Sequence, residues 1–365
     1  MYLQKVSLLC LLMLMLYGVV ADAKIVFSST RDGVKGVYVM DDDGSNQTPL
    51  KKSEERGRWF PYPNCWSPDG QQIAFVDQFG KYLMHPDGTN IRELILPKAY
   101  IGRMSFSPDS QSLVFDMSVK IDNKGKHSVN VLHIETGEMK EIADVSATSC
   151  DWSPDGKLIV FSKPGVVGED AGGTLWIMGA DGHNPRKLLR PPIQGAFNAP
   201  RWSPDGKQIV YLYNQYVWEP RLGFGIALIY KAHRYLICDR NGDNIKQLRI
   251  PKDWHPLKID WMDDGESVVF SAYVGIALDE PLPLRGQYPP SNIYKYHIQT
   301  GEITRLTDHP GMDDSLDWIS DDVLPVSPKD KMQTQWGAIK KFLQSRSEAF
   351  QSLSQDMLFF LRNQR

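Results

Sequence analysis

Two His-Pro dipeptides, His255-Pro256 and His309-Pro310, come closest to chemistry in this 365-residue chain. Each stands a few residues before a tryptophan, Trp261 or Trp318, and His309 is followed by Asp313 and Asp314. Neutral imidazoles and carboxylates are common ligands of divalent metals. His255, His309 and Asp313 would form a metal centre if the fold brought them to one place, and a carbohydrate lyase or hydrolase could use it. The plainer reading is a turn copied together with the segment around it, and on that reading no cofactor is expected. The other histidines (His85, His127, His133, His183, His233 and His297) are scattered. Asp41-Asp42-Asp43-Gly44-Ser45-Asn46 resembles part of a calcium loop but lacks the later ligands and the closing Glu, so it reads as a solvated turn. No Gly-x-Ser-x-Gly nucleophile elbow occurs. The residues thus point to binding rather than catalysis.

The duplication is general. Trp66-Ser67-Pro68-Asp69-Gly70 returns as Trp152-Ser153-Pro154-Asp155-Gly156 and Trp202-Ser203-Pro204-Asp205-Gly206. Looser copies begin at Phe106, Trp261 and Trp318. The marker aromatics are 40, 46, 50, 59 and 57 residues apart, the size of a four-stranded propeller blade with insertions. Pro presets the first corner of a turn and Gly accepts the positive φ at its exit. An apolar, β-branched run such as Ile73-Ala74-Phe75-Val76 or Ile159-Val160-Phe161 follows, so marker and run form a hairpin. A second hairpin in each unit turns at an Asp-Gly, Asn-Gly or Thr-Gly pair. Six units of four strands predict an all-β, six-bladed propeller. Trp318 has no Ile-Val-Phe run after it, whereas Ile25-Val26-Phe27 lacks a marker before it. The two ends should therefore complete one blade and remove the open edges of the ring.

Residues 1–23 read as a secretory signal: Lys5, an apolar stretch from Val6 to Val20, then Ala21-Asp22-Ala23. The stretch is short for a membrane span, so no span is expected after cleavage, and the protein is expected in the periplasm or outside the cell. The formal net charge of −3 gives no reason to expect nucleic acid. Cys65, Cys150 and Cys238 read as buried free thiols rather than a disulfide framework. The propeller is assigned to residues 24–326 and a helical extension to 327–365. Within the extension Trp336, Ile339, Leu343, Phe350, Leu353, Met357 and Phe360 trace an amphipathic α-helix. It could pack on the propeller's flank, mediate association through 329–365, or lie on a membrane surface.

Units of the form Trp152-Ser153-Pro154-Asp155-Gly156-Lys157-Leu158-Ile159-Val160-Phe161, alternating with hairpins such as Leu175-Trp176-Ile177-Met178 before Asp181-Gly182, resemble the β-propeller repeats of the TolB family. The resemblance covers roughly residues 24 to 322. It implies a periplasmic or extracytoplasmic propeller that works by binding proteins. TolB proper carries an α/β domain before its propeller, whereas here the repeats follow residue 23 directly. Propeller lyases that hold a metal with histidines near the channel mouth are the enzymatic relatives in kind.

Loop lengths locate the binding face. The marker turns and Asp-Gly turns lie at one end of the blades and are short. Connections at the other end are long and uneven: 118–128, 164–173, 214–233 and 273–291 within blades, and 54–63, 191–199 and 308–315 between them. Insertions on one face of a repeat ring mark a binding surface. That face carries Trp59, Tyr62, Phe197, Trp218, Arg221, Tyr273, Arg285 and Tyr288, residue types that dominate interfaces. They could bind a protein or a glycan, or pack the long loops on one another.

Overall fold

The computed structural model describes residues 25–33, 35–53, 61–77, 80–121, 124–165, 172–191, 195–221, 225–262, 264–275, 289–320 and 323. Residues 1–23, the segment 329–365, and Trp59, Arg285 and Tyr288 lie outside these, as do the side chains of Trp218 and Arg221.

Six four-stranded antiparallel sheets form the blades. The first holds β1 (Ile25–Ser29), β2 (Gly36–Met40) and β3 (Thr48–Lys52). The second comprises β4 (Tyr62–Trp66), β5 (Ile73–Asp77), β6 (Gly80–Met84) and β7 (Arg92–Glu93). The third comprises β8 (Tyr100–Phe106), β9 (Ser112–Ile121), β10 (Lys124–His133) and β11 (Met139–Ala143). The fourth comprises β12 (Thr148–Trp152), β13 (Leu158–Lys163), β14 (Thr174–Gly179) and β15 (Arg186–Leu189). The fifth comprises β16 (Gly195–Trp202), β17 (Gln208–Arg221), β18 (Gly225–Asp239) and β19 (Lys246–Gln247). The sixth comprises β20 (Trp254–Trp261), β21 (Ser267–Val274), β22 (Ser291–His297) and β23 (Ile303–Arg305). The first blade is completed by β24 (Asp313–Trp318), which pairs with β1 through Ile25–Trp318, Val26–Asp317, Ser28–Asp314 and Ser29–Asp313. Closure of the ring by the two ends is therefore as the sequence predicts.

The second strand of every blade explains its unbroken apolar run. Phe27, Phe75, Phe115, Phe161, Tyr211 and Phe270 stand at matching positions and are fully buried. Their neighbours Val26, Ala74, Val114, Val160, Val210 and Val269 are buried too, on the opposite face. A blade is covered by a neighbour on each side, so both faces of this strand need apolar side chains.

The marker turns are built from side chain to backbone. Ser153 Oγ donates to Asp155 Oδ1 (2.7 Å) and accepts the Leu158 N–H (2.9 Å), while Asp155 Oδ1 also accepts the Lys157 N–H (3.1 Å). The Ser153 hydroxyl is the main cause that draws the Asp155 carboxyl down to about 2. Gly156 exits at φ 71°, and in the looser copy Ser110 holds the same place at φ 61°. Two of the long connections are not loops. The segment 214–233 continues β17 and β18 as a projecting hairpin, with Tyr216 opposite Tyr230 and Arg221 opposite Gly225. Likewise, β9 and β10 pair out to Ile121 and Lys124. The three cysteines of the described residues are buried free thiols.

Candidate functional site

The six inner strands β24, β4, β8, β12, β16 and β20 converge on the central channel. Each carries a register shift at about the same height, before its marker aromatic. Ser149, Ala199 and Ser315 take left-handed φ values of 56°, 49° and 50° there. Bulges of this kind re-aim side chains that an even pleat would send elsewhere.

Beyond the bulges, the residue before the marker aromatic latches one blade to the next. Asp317 Oδ2 accepts the Trp66 N–H (2.7 Å), Asp151 Oδ2 the Trp202 N–H (2.9 Å), and Ser105 Oγ the Trp152 N–H (3.3 Å). Asn64 Oδ1 accepts the Met104 N–H (3.0 Å). Arg103 Nη2 pairs with Asp317 Oδ1 at 3.0 Å and Arg201 Nη1 with Asp151 Oδ1 at 3.4 Å. Asp151, Asp260 and Asp317 thus share the channel with Arg103 and Arg201. Burial pushes Asp151 up to about 7, although the Trp202 N–H and Arg103 oppose it. Burial and then the neighbouring Asp260 hold Asp317 well above the usual carboxylate range.

At the long-loop end the channel opens into a cavity of about 160 Å³. Tyr62 and Asn64 of β4, Tyr100 and Arg103 of β8, Ser149 of β12, Lys258 of β20 and Ser315 of β24 line it. Five blades contribute. Burial, and then Arg103, lowers the Lys258 ammonium from its ordinary value, while Asp314 works the other way. A second cavity, a groove of about 870 Å³, runs between the second and third blades. Tyr62, Tyr100 and Ile101 line both, so the groove leads into the channel mouth. Its walls include Leu94, Leu96, Pro97 and Val119 with Lys81, Lys98 and Lys120. Lys81 is drawn down to about 8 by burial, and Asp116, across from it, is pushed up to about 6, also by burial. A Cβ on Gly102 would overlap the Asp116 carboxylate, so glycine is what admits that group beside the mouth.

Of the residues singled out in the sequence, Tyr62 lines both cavities. Phe197 is 3% exposed, its ring edge-on to Tyr211 and Tyr213 at 5.0 and 5.5 Å. Tyr273 is 6% exposed, with its ring 6.2 Å from that of His255. His255 lies in β20 opposite Tyr273, rather than in a connection. Its ring centroid is 3.8 Å from that of His233. His233 Nδ1 is 2.7 Å from Asn214 Oδ1, while His233 Nε2 and His255 Nδ1 are buried without hydrogen-bond partners. Burial pushes His255 down to about 4, and burial together with His255 pushes His233 down to about 3. His309 Nδ1 accepts the Gly311 N–H (2.9 Å), and the fully buried Asp313 pairs with Arg31 at 3.2 Å. His309 and Asp313 thus have local partners of their own, and His255 packs on His233. Among the described residues no three His, Cys, Asp or Glu side chains are grouped to hold a metal ion.

Sequence reasoning missed Asn64, Arg103 and Lys258. The signal was polar residues two or three places before a marker aromatic, inside strands that a propeller keeps innermost.

The family model of the TolB β-propeller domain matches residues 20–215. A crystal structure of TolB from Acinetobacter baumannii superposes with a TM-score of 0.61 at 16% identity, over 81% of this chain and 66% of that one. An oligogalacturonate lyase in complex with manganese superposes with a TM-score of 0.50 at 17% identity, over 78% of this chain and 73% of that one. At such identities these likenesses concern the fold alone. The uncharacterized peptidase YuxL of Bacillus subtilis (strain 168) is 26% identical over an alignment of 145 residues, with 29% of this chain and 22% of that protein covered. This chain thus spans about a fifth of that relative's length.

Proposed function

The chain belongs to the TolB β-propeller family, and from that premise we propose that it is a non-catalytic binding protein of the periplasm or the cell exterior. Its ligand, a protein or a glycan, sits on the long-loop end. The observation that carries this reading is the groove between the second and third blades, continuous with the channel mouth through Tyr62, Tyr100 and Ile101. Tyr100 is 70% exposed at its rim, and large exposed aromatics beside a concave surface favour recognition. Among the described residues, the opposite end carries tight turns whose Ser and Asp side chains are used by the turns themselves. The signal-like segment 1–23 supports export, and no helix among the described residues is long and apolar enough to cross a membrane.

Photo-cross-linking in cells tests the proposal. A photoreactive residue at Tyr100 should yield discrete adducts, and one at Asp109 in a turn of the opposite end should not. Adducts of equal yield from both positions, or from Asp109 alone, would sink it.

A further inference from the structure

Among the described residues, two buried hydrogen-bond donors at the channel mouth have no acceptor. Asn64 is 4% exposed, and its Nδ2 has no hydrogen-bond partner. The Arg103 side chain is 10% exposed, and its Nε has no partner although Nη2 holds Asp317. Lys258 reaches the same cavity, and burial works against its charge. Buried donors left without acceptors are costly. Two such donors and the Lys258 ammonium around one cavity of about 160 Å³ describe a receptor for an anion.

Charge sets which anion. Asp260 and Asp317 both act on Arg103 and between them balance its charge, so the unmatched charge at the mouth is close to one, that of Lys258, with Asp314 acting on it. A monoanion fits that balance better than a phosphate dianion. A carboxylate also offers two coplanar oxygens to a guanidinium edge and a neighbouring ammonium. The adjoining groove then supplies the rest of the ligand. Leu94, Leu96, Pro97, Ile101 and Val119 give it apolar walls, which suit the side chains of a peptide better than the hydroxyls of a sugar chain.

We infer that the channel mouth takes the terminal carboxylate of a polypeptide, whose preceding apolar side chains lie in the groove between the second and third blades. This deepens the binding reading above and rests on it.

The test uses the full chain without its first 23 residues and a pool of N-acetylated apolar tetrapeptides, made both as free acids and as C-terminal amides. Calorimetric titration should show the free acids binding at least about tenfold more tightly than the amides. Lys258→Met should reduce that preference to about twofold or less, and Lys258→Arg should restore most of it. Acetate should compete with the acids, and phosphate at equal ionic strength should compete less well. Equal affinity of acids and amides, no binding of either, or a preference that survives Lys258→Met would overturn the inference. A uronic-acid disaccharide that displaces the peptides at lower concentration than acetate would overturn it in favour of a glycan. The acid–amide comparison needs no variant, so it stands even if a substitution misfolds. Adducts at Tyr100 with no acid preference would remove the carboxylate receptor and leave the binding face intact. Loss of both would remove the face as well.

Discussion

His255 and Asp151 are buried titratable groups with opposite effects on stability. An unfolded histidine titrates near 6.5, and His255 in the fold near 4. Between those values the unfolded chain binds more protons, so this residue's contribution falls as pH drops from about 6.5 to about 4. Asp151 is reversed. Its folded value of about 7 lies above its unfolded 3.8, so the fold binds more protons in between and loses stability as pH rises through that range. The two slopes oppose each other, and the parent profile should be flatter than either group alone would make it. His255→Phe should therefore gain on the parent as pH falls from 6.5 to 4, by on the order of 3 kcal/mol at full effect. Asp151→Asn should gain on it as pH rises from 4 to 7. Urea unfolding at five pH values measures both, and parallel curves for parent and variants would remove the argument. Asp317 tests the latch. Alanine there strands the buried Arg103 and the Trp66 N–H together, an expected loss of about 3–5 kcal/mol. Asparagine keeps a carbonyl for the Trp66 N–H and should lose less. An Asp317→Ala loss below about 1 kcal/mol would mean that the latch is not structural.

At the level of the strand and hairpin, much was legible because its causes are local. A proline, an aspartate and a glycine at fixed places write a turn. An unbroken run such as Ile159-Val160-Phe161 records a strand covered on both faces. The β17–β18 hairpin was harder, because 214–233 lacks a clean alternation and reads as a loop, yet pairs nearly to its tip. The channel mouth was harder still. Arg103 and Lys258 look like solvent-facing residues of alternating strands, and only the bulges at 101–104 and 256–258 break that alternation. Their meeting, 155 positions apart, is a property of the ring and has no local mark. The same holds for His233 and His255, which sit in neighbouring blades. In the β17–β18 hairpin the buried Ile229, paired with Val217, belongs to the core. Replacing 218–228 by an Asn-Gly turn between Val217 and Ile229 should leave the cooperative transition in place and Tm within about 4 °C. A collapse of the cooperative transition would show that 218–228 is part of the core too.

For the molecule as a whole, the three thiols report on the ring. Cys65, Cys150 and Cys238 belong to the second, fourth and fifth blades, and burial raises the pKa of each. In the native protein they should resist a thiol reagent, and in denaturant all three should react at once. If the latches make the blades one cooperative unit, the three should become labelled at one common rate under native conditions, set by global unfolding. A thiol that labels much faster than the others would identify a blade that opens alone. Closure by β1 and β24 adds a constraint of time. The strand β1 leaves the ribosome some 290 residues before its partner Asp313–Trp318. Until then Ile25–Ser29 has a partner on one side only. No intermediate length of nascent chain can complete the first blade, so a chain cut short before β24 would release an open ring with a sticky strand at its seam. Whatever handles this protein during its synthesis must shield that strand until the last blade is made.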